Sequence, residues 1–61
     1  MKIIKTHKIN QNGLVPAYDI MLVEQGGEYI VKDSDGDILS NGMYKIEMGV
    51  EEFDKIVEDC T

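Results

Sequence analysis

Turn-forming pairs recur so closely along the first forty-two residues that no long helix fits between them. They are Asn10-Gln11-Asn12-Gly13, Gly26-Gly27, Ser34-Asp35-Gly36 and Asn41-Gly42. Asn-Gly, Asp-Gly and Gly-Gly supply the positive φ that tight hairpin turns demand. The runs between them are short and rich in Ile, Val and Tyr, residues that suit a half-buried pleated surface. Strands are therefore expected over about residues 2–9, 17–25, 28–33, 37–40 and 43–48. The last two join into one strand if Asn41-Gly42 is a bulge. Pro16 stands at the entrance of the second strand, where a missing N–H is tolerated.

The period changes near the C-terminus. Val50, Phe53, Ile56, Val57 and Cys60 recur at helical spacing. At 100° per residue they fill an arc of roughly 120°, as the core-facing side of a helix should. Gly49 is the expected N-cap, with Glu51 and Glu52 in the first turn, where the helix dipole favours acids. The expected fold is α+β: a small antiparallel β-meander of four or five short strands, with one C-terminal α-helix packed on one sheet face. Residues 1–61 form a single small domain.

The second strand poses a packing problem. Tyr18, Ile20 and Leu22 point one way, and Ala17, Met21 and Val23 the other. One helix covers one face only. The other face must curl into a barrel-like sheet, be covered by the N-terminal segment, or meet another molecule. A 61-residue chain buries only ~60% of its unfolded surface, and one Cys makes no intrachain disulfide, so the core is marginal.

Composition excludes several classes of function. Twelve acids against six Lys, with no Arg, give a net charge of −6. Phosphate recognition needs clustered Lys and Arg, so direct binding of nucleic acid or anionic lipid is not expected. The longest uninterrupted apolar run, Ile20-Met21-Leu22-Val23, is far short of the ~20 residues that cross a bilayer. Lys2 is followed by no apolar stretch of the signal-peptide kind. The expected compartment is the cytoplasm of a bacterial or phage-infected host cell. The initiator Met is expected of a complete small gene product. The Ile, Lys and Asn bias without Arg is what AT-rich codons produce, and suggests a low-GC bacterium or its phage.

No constellation of catalytic residues stands out, and no cofactor or metal is expected. In Asp33-Ser34-Asp35-Gly36-Asp37, setting Gly36 as position six of an EF-hand loop leaves Val31 at position one and Gly42 at position twelve. Both essential carboxylate positions are lost, so the segment reads as a hairpin turn. His7 and Cys60 would have to meet in space to form a thiol–imidazole pair. Cys60 lies one residue from the end and falls on the apolar arc, so it reads as buried or half-buried filler, and His7 as a surface residue. Gly26-Gly27 has no helix N-terminus or basic residue after it to cradle phosphate.

The outer helix face breaks a local rule. Glu51, Asp54 and Glu58 lie within roughly 60° on the helical wheel, as like-charge i, i+3 and i+4 neighbours. Glu58 and Asp59 sit near the helix C-terminus, where the dipole disfavours anions. These four are the candidate partner-binding residues. Tyr18, Tyr29 and Tyr44 are candidate sheet-face anchors, since Tyr is apolar in body with a polar tip. Residues 1–18 hold three Lys and no acid, while 19–61 hold all twelve acids, so the first strand is expected to neutralise part of the remainder within the fold. The expected function is a small acidic non-enzymatic interaction module with a basic protein partner. Its sharpest form is a phage or mobile-element inhibitor of a nucleic-acid-handling host protein. The alternative is a structural homodimer or assembly subunit with no inhibitory role.

Overall fold

The computed structural model describes residues 1–60, the Asn41 side chain excepted. Its elements are β1 (Lys2–Ile9), β2 (Tyr18–Gln25), β3 (Glu28–Asp33), β4 (Ile38–Met43) and α1 (Ile46–Cys60). The strands form one sheet in the order β1-β2-β3-β4, every neighbouring pair antiparallel. This is the expected meander, with α1 laid over β2, β3 and β4.

Turn chemistry fixes the pairing. Gly26 and Gly27 have φ of 61° and 80°. Positive φ at both central residues is the requirement of the type I′ turn, whose twist matches that of the flanking strands. It sets Gln25 opposite Glu28 and hence Leu22 opposite Val31. The turn after β3 is built by Asp33. Its Oδ1 accepts the N–H groups of Asp35 at 3.0 Å and Asp37 at 2.9 Å. Its backbone carbonyl accepts the Gly36 N–H at 3.2 Å, and its own N–H donates to the Asp37 carbonyl at 3.0 Å. Ser34 ties this turn to β2: its N–H donates to the Asp19 carbonyl, and its Oγ accepts the Asp19 N–H.

Four strands form, the lower of the two expected numbers, and the last two expected segments join as far as Met43. The segment expected at 37–40 continues to Met43 as β4, and the register against β3 shifts between Tyr29 and Val31, as a bulge at Asn41-Gly42 requires. Met43 lies opposite Tyr29 and is buried in the core. The helix then starts at Ile46, ahead of the expected cap at Gly49. The Gly49 N–H donates to the Lys45 carbonyl at 3.1 Å, so Lys45 occupies the cap position. Gly49 is instead a buried residue of the first turns. A Cβ there would lie 3.0 Å from Tyr29 Cβ and 3.3 Å from Leu22 Cδ1. The glycine serves the close approach of helix to sheet, not the helix end.

The core is one-sided. Ile9, Ile20, Leu22, Val31, Met43 and Phe53 form its centre, with Ile4, Tyr18, Tyr29, Val50, Ile56 and Val57 packed around them. Each fully buried aliphatic or aromatic side chain contributes about 1.5–3 kcal/mol relative to exposure. Four of the five arc residues expected on α1 face this core, but Cys60 is exposed and is not filler. Cys60 lies beside Tyr18 and Ile9 but borders open grooves, which leaves it exposed. A register shift between Ile3 and Lys5 lets β1 turn both Ile4 and Lys5 toward the helix.

Candidate interaction surfaces

The sheet presents two unlike faces. Strand alternation assigns the side away from the helix to Ile3, Thr6 and Lys8 of β1, and to Asp19, Met21, Val23 and Gln25 of β2. Glu28, Ile30 and Lys32 of β3, with Ile38 of β4, complete it. The register sets Ile3, Val23 and Ile30 in one row across three strands. Thr6, Met21, Lys32 and Ile38 form the next row. Among the described residues, the one helix packs on the opposite side of the sheet. The sheet does not close into a barrel, since β1 and β4 are not paired, and the N-terminal segment pairs edge to edge with β2 as β1 and does not lie across it. Val23 is nonetheless fully buried, and it lies outside the helix-side core.

The helix side carries the charge. With six acids and one Lys, α1 holds a net charge of −5 out of the chain's −6. Glu51, Asp54, Glu58 and Asp59 are all exposed. They are not equivalent. The Asp54 Oδ1 accepts from Lys5 Nζ at 3.2 Å. That ammonium also lies 5.3 Å from the centroid of the Phe53 ring. The pair latches the edge strand to the helix, so Asp54 also has a partner within the fold. Lys2 stands opposite Glu24 and Lys8 opposite Asp19 in the β1–β2 register. Each lysine of β1 thus faces an acid of the same chain.

The tyrosines divide differently from a set of anchors on the uncovered face. Tyr18 and Tyr29 are half-buried on the helix side, and Tyr44 is exposed in the link between β4 and α1. Hydrogen bonding with the Cys60 thiol, then desolvation, pushes the Tyr18 phenol above its usual value near 10. Desolvation, then the Glu24 carboxylate, does the same for Tyr29. Tyr18 and Cys60 border an open groove of about 260 Å³ whose other walls include Val15, Pro16, Leu39 and Asp35. His7 and Cys60 border a second shallow groove of about 290 Å³, but no hydrogen bond joins them. The chain therefore brings the thiol and the imidazole to one neighbourhood without pairing them.

Among the described residues, no group of three or more His, Cys, Asp or Glu side chains gathers as metal ligands would. One carboxylate oxygen of the acidic turn, Asp33 Oδ1, is occupied by two backbone N–H groups. No helix among the described residues is long and apolar enough to cross a membrane. No protein-family model matches the chain, and no curated protein or solved structure matches it. The sequence signal for the uncovered face was the two-sided apolarity of β2. The contributions of Ile3, Ile30 and Ile38 depend on register, which periodicity within one strand does not reveal.

Proposed function

We propose that the chain is a small non-enzymatic interaction module that presents its acidic helix to a basic protein. In the cytoplasm of a bacterial or phage-infected cell, such a partner would be a nucleic-acid-handling protein, whose phosphate-binding surface the carboxylates would occupy. The observation that carries this reading is the separation of charge. Outside α1, six acids and five Lys nearly cancel, whereas α1 holds −5 along one element. A field of one sign draws a basic surface and speeds encounter, and it weakens as salt rises. Glu51, Asp54, Glu58 and Asp59 are the residues expected at the contact, all four being exposed on α1; Asp54 also holds Lys5.

The test is affinity capture from host lysate at low and moderate salt with the wild-type chain and with E51K/E58K/D59K. The triple variant keeps the Lys5–Asp54 pair and the core. Binding is then measured with the purified captured protein. A basic protein, held less tightly as salt rises and lost by the triple variant, supports the reading. A partner bound equally well by the triple variant, or bound without salt dependence, overturns it.

A further inference from the structure

We infer that the uncovered sheet face is the contact surface for a second copy of this chain, giving a dissociable α-β-β-α sandwich with the helices outermost. The inference does not depend on the acidic-helix reading, because it concerns the opposite side of the sheet.

The face has an apolar middle. Ile3, Val23 and Ile30 lie side by side, with Met21 and Ile38 in the adjoining row. Ile3 and Ile38 remain 54% and 58% exposed in the single chain. A sheet with apolar residues on both faces is ordinarily covered on both, and among the described residues α1 covers only the side that holds Leu22 and Val31.

Charge selects the occupant. The ionisable side chains on this face are Lys8, Lys32, Asp19 and Glu28, two of each sign, so the face is neutral within a chain of net charge −6. A strongly basic partner is drawn to the helix instead, and a strongly acidic one is repelled by the chain as a whole. A second copy brings a surface of the same balanced kind. Self-association through α1 would crowd like charges, since it holds six of the twelve acids and only one Lys. Here both sheets stand between the two helices. With facing sheets ~10 Å apart, the helices lie more than ~20 Å apart, beyond two Debye lengths at physiological salt.

Area limits the strength. Four strands ~4.8 Å apart and about 20 Å long give a footprint of roughly 400 Å², half of what each side of a standard stable interface buries. The dimer is therefore expected to form and dissociate over an accessible concentration range.

Sedimentation from about 10 μM to about 1 mM tests this, a span in which a weak interface goes from open to closed. The wild-type mass is expected to rise from 6.9 kDa toward twice that value. I3K/I38K should keep the wild-type circular dichroism spectrum and remain monomeric, its dissociation constant raised by roughly 100-fold or more by charges in the apolar band. E51K/E58K, on the other side, should associate at least as well as wild type. Amide chemical shifts of wild-type Ile3, Val23 and Ile30 should move with concentration while those of α1 stay fixed, which reads the contact without any substitution. A wild-type monomer at about 1 mM overturns the inference. So does association of folded I3K/I38K at wild-type strength, or concentration-dependent shifts confined to α1.

Discussion

Leu22 and Val23 are neighbours on β2, both fully buried, yet they are buried by different means. Leu22 faces the layer supplied by α1 and belongs to the core that includes Val31, Met43 and Phe53. Val23 faces the other way, with Ile3 and Ile30 beside it in the plane of the sheet and no second layer above. The helix side therefore holds the monomer together. The open side is shielded only at its centre and leaves Ile3 and Ile38 largely in water. A fold can close one face and keep its neighbour available, because alternate residues of one strand answer to different layers.

The largest expected effect is on the helix side. Phe53 is 3% exposed and is the one buried large side chain that α1 contributes to the core. Phe53→Ala is expected to cost about 3–5 kcal/mol. At ~0.05–0.15 kcal/mol per residue, a 61-residue chain has a total stability of roughly 3–9 kcal/mol. The variant should thus be largely unfolded or have a sharply reduced urea midpoint by circular dichroism. Retention of the wild-type midpoint would mean that the helix does not anchor the covered face.

Gly49→Ala sharpens the comparison at the contact itself. In an exposed helix the change would stabilise by up to ~1 kcal/mol, since Gly is a poor helix former. Here the added methyl meets Tyr29 Cβ at 3.0 Å, and Tyr29 Cβ is fixed to a strand flanked by β2 and β4. Overpacking costs ~1–3 kcal/mol. A net destabilisation of about 1 kcal/mol is expected, measured by urea titration. A gain in stability would show that the helix can lift from the sheet at little cost.

The same residue marks where the sequence was legible and where it was not. Gly26-Gly27 and the Asp33–Asp37 segment announce their turns through local backbone requirements, and strands β1 to β3 lie within a residue of expectation. Phe53 and its helical neighbours were legible because amphipathic spacing is also local. The start of α1 was not. A glycine beside two acids resembles a cap, but Gly49 answers to Tyr29, twenty residues earlier, through the packing of two elements. Cys60 was misjudged for a related reason: its place on the arc says which way it points, not that the grooves beside Tyr18 and Ile9 stay open around it. In the candidate surfaces, the acids of α1 could be read directly, whereas the engagement of Asp54 by Lys5 spans 49 residues and follows from the β1 register shift.

That ion pair provides the smallest expected effect and a test of how the edge strand is held. Lys5 and Asp54 are 43% and 61% exposed at their side chains, so solvent screens the attraction. A double-mutant cycle with Lys5→Ala and Asp54→Ala should give a coupling of about 0.2–1 kcal/mol, shrinking as salt is raised. Lys5→Ala should cost more than Asp54→Ala, because the ammonium also lies over the Phe53 ring, a contact worth about 0.5–1 kcal/mol at an exposed site. That excess is less salt-sensitive than the coupling, since it includes packing of the lysine stem on the covered face. Equal single-variant costs would assign Lys5 to simple charge pairing and leave Ile4 alone to carry the contact of β1 with the core beneath α1 at that bulge.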